Sequence, residues 1–260
     1  MSDKAAMGVK DLSAAGFARA LVFNLVFYAW TVFILVIGLP VLLLPREGAY
    51  GLGTLWARVS LLLLSRIVGL DHCVRGLEHR PDGPAIIAVK HQSAWDTLIF
   101  PLLLRKPAYV VKRELFLIPL FGWYLRRAEM ISVDRAKGGA ALKSILKDAR
   151  ILSEQGFPIL IFPEGTRVAP GARRPYQPGI AALYAQLGLP VIPVALNSGL
   201  YWGRRSFMKR SGTVILEFLK PIEPGLPRRE FMALLEERIE EASIRLLREA
   251  EAEPSPCGPS

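Results

Sequence analysis

A histidine and an aspartate stand close together in Lys90-His91-Gln92-Ser93-Ala94-Trp95-Asp96, and further along the chain reads Phe162-Pro163-Glu164-Gly165-Thr166-Arg167. An imidazole beside a carboxylate is what acyl transfer to an alcohol needs. One group removes the proton, and the other fixes its tautomer and stabilises the cation that forms. An arginine beside a glycine turn offers a planar fork and a close backbone approach, both suited to a phosphate.

The spacing of the first pair restricts its local structure. Side chains five apart on a regular helix diverge by roughly 140°, so His91 and Asp96 meet only if the segment between them is not wholly helical. The run Ala85-Ile86-Ile87-Ala88-Val89 is uncharged and partly β-branched, the pattern of a buried strand. His91 is therefore expected at a strand's carboxyl end, where open α/β sheets place their ligands.

Other chemistries lack their residues. No Gly-x-Ser-x-Gly elbow is present for a serine nucleophile. Cys73 and Cys257 lie far from His91 in the sequence, and Ser93 stands without an elbow of its own. His72, His79 and His91 share no zinc-ligand spacing, so no metal site is expected. There is no P-loop, and Gly51-Leu52-Gly53 lacks the third glycine of a dinucleotide fingerprint. What remains is a histidine base acting directly on a substrate hydroxyl.

With these residues in hand, the chain resembles the glycerolipid acyltransferases, and specifically the bacterial lysophosphatidate acyltransferases. His91 to Thr97 is similar to the family's first block, with His-x4-Asp at its heart. Lys112-Arg113-Glu114-Leu115 with Ile118-Pro119 and Gly122-Trp123 resembles the second. Phe162 to Arg167 resembles the third, and Val191-Ile192-Pro193-Val194-Ala195-Leu196-Asn197 the fourth. All four fall in the family's order. Lys90 is a departure, since many relatives carry asparagine before the histidine; its charge is expected to act near the donor or acceptor.

The resemblance implies a set of roles. His91 deprotonates the sn-2 hydroxyl of a lysolipid as it attacks an acyl thioester, and Asp96 orients it. Lys112, or backbone amides near it, is the candidate for the oxyanion or the donor. Arg167 and Gly165 hold the acceptor phosphate, Glu164 and Thr166 orient Arg167 or take bonds from the acceptor, and Arg135 is a second phosphate ligand. No cofactor is implied beyond the co-substrate, acyl-CoA or acyl carrier protein. A different lysolipid acceptor, such as a lyso-ornithine lipid, and a non-catalytic lipid-binding membrane protein are the alternatives.

The elements around these residues speak of a membrane. Hydrophobic residues make up 52% of the chain, the mean hydropathy is +0.31, and residues 20–44 carry no charge. A helix over that run reaches ~37 Å, against a hydrocarbon core of ~30 Å. Gly38, Pro40 and Pro45 bend or end it. Residues 52–70 are apolar but broken by Arg58 and Arg66, which reads as an interfacial helix. Arginines and lysines flank the uncharged run on both sides, so the positive-inside rule leaves a single span and a re-entrant bend both open. Residues 1–72 are expected to form a membrane-inserted two-helix element, 73–252 the acyltransferase domain and 253–260 a disordered tail. The resemblance places the protein at a bacterial cytoplasmic membrane, with its catalytic domain facing the cytosol.

The net charge is +10, and residues 90–220 hold 20 Lys/Arg against 8 Asp/Glu. That excess favours an anionic membrane surface, a lysophospholipid substrate and acidic acyl carrier protein. No nucleic-acid-binding module accompanies it. Strands are expected over 85–89, 109–111, 130–133, 158–162, 191–196 and 213–218, and helices over 140–155, 179–187 and 229–250. The alternation predicts an α/β fold, a mostly parallel sheet flanked by helices. Arg204, Arg205, Lys209 and Arg210 with Trp202 and Phe207 read as a basic aromatic loop, either solvated or against lipid headgroups.

Overall fold

The computed structural model describes residues 13–134 and 138–252. Two helices lead, α1 (Ala14–Ile37) and α2 (Arg46–Leu63), the second running on into a π-helical turn over Leu64–Val68. The Ser13 hydroxyl accepts from the Gly16 amide at 3.1 Å and caps α1. Gly38 ends the helix where the hairpin is tightest: a Cβ there would lie 2.3 Å from the Leu52 side chain. The second helix starts at Arg46 rather than near residue 52. Arg46 is buried, donating from Nε to Ala128 O at 3.1 Å and pairing with Glu129 at 3.2 Å. It therefore serves as an internal peg rather than the flanking surface charge expected from sequence.

The chain then alternates. β1 (Leu70–Arg75) and β2 (Ile86–Val89) precede α3 (Trp95–Leu103), β3 (Ala108–Lys112) and α4 (Phe121–Arg127). β4 (Ile131–Val133), α5 (Gly139–Glu154), β5 (Ile159–Ile161) and α6 (Gly179–Leu187) follow. β6 (Val191–Leu196), β7 (Gly212–Phe218) and α7 (Arg228–Ala252) complete the order. The seven strands form one sheet, β1-β7-β6-β2-β5-β3-β4. Every neighbouring pair is parallel except β6–β7. The expected α/β architecture is present.

β2 and β6 lie central and buried along their whole length, which is why both read as uncharged runs. Alternate side chains of β2 enter two cores. Ile87 and Val89 pack toward α2 and α3, while Ile86 and Ala88 pack toward α5, α6 and α7. The leading helices belong to the first of these cores, contributing Phe23, Ala57, Leu61, Leu64 and Val68. Both are long and apolar enough to cross a membrane. α1 leaves Leu25, Tyr28, Val32, Phe33 and Ile37 more than half exposed. The tail, 253–260, lies outside the described residues.

Candidate active site

β2 ends at Val89 and α3 begins at Trp95, so His91 and Asp96 stand on either side of a strand-to-helix turn, as their spacing required. His91 Nδ1 lies 2.9 Å from Asp96 Oδ2. The same oxygen accepts the amides of Gln92 at 2.7 Å and Ser93 at 2.8 Å, and Oδ1 accepts the Ser198 hydroxyl. Asp96 is fully buried. With donors converging on both its oxygens, Asp96 is placed to accept from Nδ1, which leaves Nε2 as the basic nitrogen. The His91 ring stacks on Phe162, with centroids 3.9 Å apart. Its peptide is fixed at both ends: the amide donates to Glu164 Oε2 at 2.8 Å, and the carbonyl accepts from the Val168 amide at 2.8 Å.

Ser93 is no nucleophile. It is buried, and its hydroxyl accepts the Trp95 amide at 3.1 Å at the start of α3. Ser198 and Gln92 were not legible as site residues. Ser198 follows the fourth block and reaches back to Asp96, while Gln92 Oε1 accepts the Gly199 amide at 3.0 Å. Together they tie the β6 end to the His91 turn.

A cavity of about 650 Å³ opens in front of His91 and is lined also by Lys112, Gly165, Thr166 and Arg167. Arg204 and Arg205 join this wall, so the basic aromatic loop splits in two. Arg204 and Arg205 face the cavity, while Trp202 and Lys209 are buried. Gly165 turns with φ +69°, the left-handed geometry that glycine permits. Burial draws the Arg167 guanidinium below its usual range, opposed by the charge of Asp96. Among the described residues none of Arg167, Arg204 and Arg205 forms an ion pair with a carboxylate; Arg204 Nη1 donates to Arg167 O at 3.4 Å.

Two expectations need correcting. Glu164 does not face the acceptor. It is fully buried behind His91, with one oxygen on the His91 amide and the other 2.6 Å from Lys90 Nζ. Burial raises its pKa, with Lys90 opposing. Lys90 is likewise 1% exposed and points inward, so its charge is spent on Glu164 and not on a substrate. Arg135 lies outside the described residues, and no group of metal ligands occurs among those described.

A second, apolar cavity of about 330 Å³ lies between the helical hairpin and the sheet domain, lined by Ile34, Leu35, Leu52, Trp56, Pro101 and Phe121 among others. Thr97, Val111, Leu115 and Arg167 line both cavities, so the two adjoin beside the basic wall.

Residues 71–197, which span the dyad and all four blocks, match the family model described as Acyltransferase. Over this segment the chain is similar to the acyltransferase family. A 1-acyl-sn-glycerol-3-phosphate acyltransferase of Pseudomonas aeruginosa is 38% identical over 159 residues, covering 61% of this chain and 62% of that protein. A Bos taurus 1-acyl-sn-glycerol-3-phosphate acyltransferase alpha is 26% identical over 231 residues, covering 87% and 80%. The matches span 56% to 62% of the length of the Pseudomonas, Cocos nucifera and Limnanthes douglasii relatives. The fold is also that of PlsC from Thermotoga maritima, described as a 1-acyl-sn-glycerophosphate (LPA) acyltransferase. The TM-score is 0.75 at 23% identity, over 92% of this chain and 99% of that one. The matched segment covers the dyad turn, the Lys112 strand and the Arg167 turn, but it stops before β7 and α7.

Proposed function

We propose that this protein transfers a fatty acyl group from an acyl thioester to the sn-2 hydroxyl of 1-acyl-sn-glycerol 3-phosphate, giving phosphatidate. One observation carries the reading. The His91–Asp96 pair opens onto a cavity with an arginine wall, and that cavity adjoins an apolar one. A lysophosphatidate needs a base at its hydroxyl and cations at its phosphate, and the fatty chain of the donor needs an oily slot.

His91 Nε2 takes the hydroxyl proton as the oxygen attacks the thioester carbonyl carbon. The tetrahedral oxyanion collapses, the C–S bond breaks, and the imidazolium returns its proton to the leaving thiolate. Asp96 stabilises the imidazolium in between. Lys112 serves the oxyanion or the donor, Arg167 with Gly165 and Thr166 holds the acceptor phosphate, and Glu164 fixes the His91 peptide from behind. The donor is acyl-CoA or acyl carrier protein, and no further cofactor enters the reaction. Residues 1–72 attach the catalytic domain to the cytosolic face of a bacterial cytoplasmic membrane.

The test uses purified full-length protein with lysophosphatidate, monoacylglycerol and a lyso-ornithine lipid as acceptors. Lysophosphatidate is expected to be the preferred acceptor. Removing its phosphate costs the wild type heavily but adds little in Arg167→Ala, since both changes delete one interaction. Additive losses remove Arg167 from the phosphate, and faster transfer to lyso-ornithine lipid replaces the acceptor.

A further inference from the structure

Behind the dyad lies a buried charge cluster that reaches beyond the family segment. Lys90 Nζ sits 2.6 Å from Glu164 Oε1 and 2.7 Å from Glu240 Oε1, with Ala172 O at 3.5 Å. The Tyr176 hydroxyl donates to Glu240 Oε1 at 3.0 Å. Lys90, Glu164, Glu240 and Tyr176 are 1%, 0%, 3% and 6% exposed. Glu240 comes from the middle of α7, where the other buried residues are Phe231, Leu235, Ile239, Ala242, Ser243 and Leu246.

A carboxylate buried there is expensive. Buried ion pairs repay their desolvation poorly, and apolar replacements are often no less stable. Stability alone therefore gives no reason for Lys90 and Glu240. What they do accomplish is geometric. Tyr176 donates to Glu240, Glu240 holds the ammonium, the ammonium pairs with Glu164 Oε1, and Glu164 Oε2 accepts the His91 amide at 2.8 Å. A lone Lys90 would satisfy one carboxylate, and a lone Glu240 would be a buried anion without a cation.

We infer that Lys90 and Glu240 are a matched pair of positioning residues, through which α7 sets the orientation of Glu164 and the catalytic His91 peptide. The inference rests on the acyltransferase reading only for its kinetic consequence. An asparagine at position 90 needs no partner on α7, so the pair is a local solution that couples a helix outside residues 71–197 to the reaction.

Four full-length proteins test it: wild type, Lys90→Asn, Glu240→Gln and the double variant. Transfer to lysophosphatidate gives kcat and KM. Hydrogen exchange of the His91 amide, read against amides of β6, gives a measure independent of activity. Lys90→Asn is expected to lower kcat about tenfold, within the range of coupled neighbours, with both KM values unchanged. Its His91 amide should exchange faster relative to β6. The double variant is expected to lose no more than Lys90→Asn alone, since Glu240 reaches Glu164 only through Lys90. If Lys90→Asn does not fold, an active, folded double variant supports the pairing, and an unfolded one overturns it. Unchanged His91 protection and kcat in Lys90→Asn, or losses that multiply in the double variant, also overturn it. A wild type that shows the expected protection pattern but leaves lysophosphatidate untouched defeats the acceptor reading and leaves the pairing standing.

Discussion

The basicity of His91 is decided by one carboxylate with a full set of partners. Asp96 receives two backbone amides, a serine hydroxyl and the imidazole itself. An asparagine could keep most of that geometry, with its oxygen toward the amides and its NH2 toward Ser198, yet it carries no charge to stabilise an imidazolium. Asp96→Asn is therefore expected to lower kcat by roughly 10²–10⁴ and to keep its circular dichroism and membrane partition. Near-normal turnover in the folded variant would remove Asp96 from the mechanism. The dyad was legible because its spacing, the strand before it and the third block all lie in the sequence. The inward turn of Glu164 was not legible, since Glu240, which completes its cluster, arrives from a helix far along the chain. Ser198 escaped for the same reason: a serine just past a strand looks like any turn residue until the sheet brings it to Asp96.

The elements show where periodicity succeeds and where it stops. β6 and α6 fall on the expected residues, 191–196 and 179–187, because both are uncharged runs, β6 preceded by Pro190 and α6 bounded by Pro178 and Gly188. β1 was missed. Its Leu70-Asp71-His72-Cys73-Val74-Arg75 sequence alternates poorly, and as an edge strand it has only β7 as a neighbour. α3 was missed because it is nine residues long with Pro101 inside. The leading helices are less separable from the sheet domain than a boundary at residue 73 implies. Phe23, Leu61, Leu64 and Val68 are core residues. At about 1.5–3 kcal/mol for each large side chain buried, they contribute roughly 6–12 kcal/mol, as much as a typical domain's whole stability. A protein starting at residue 73 also lacks the first half of β1, so it is expected to be unfolded in circular dichroism. A cooperative melt near that of the full chain would show the hairpin to be dispensable.

A second joint ties α1 to the site loop. Lys209 donates to Asn24 Oδ1 at 2.6 Å and Phe207 O at 3.0 Å, with its ammonium 4.9 Å from the Trp202 ring centroid. Burial pushes this lysine from 10.5 down to about 8. Because the unfolded chain then holds its proton to higher pH than the folded one, stability should rise as pH climbs from about 8 to 10.5. Lys209→Met is expected to flatten that rise in Tm measured across the same window, and an unchanged slope would show that Lys209 does not set it.

At the scale of the whole molecule, the exposed apolar face of α1 and the net charge of +10 suit a bilayer with anionic headgroups. The apolar cavity lies between the hairpin and the sheet domain, so the helices that would enter the membrane also wall the slot proposed for the fatty chain. Membrane attachment and substrate access are then one structural arrangement. The most direct test of this account is acyl transfer by the purified full chain to lysophosphatidate in vesicles, compared with His91→Ala. The account predicts phosphatidate formation by the wild type and a loss of about 10²-fold or more in a His91→Ala protein that still folds and binds the vesicles. Comparable phosphatidate formation by both proteins would contradict it.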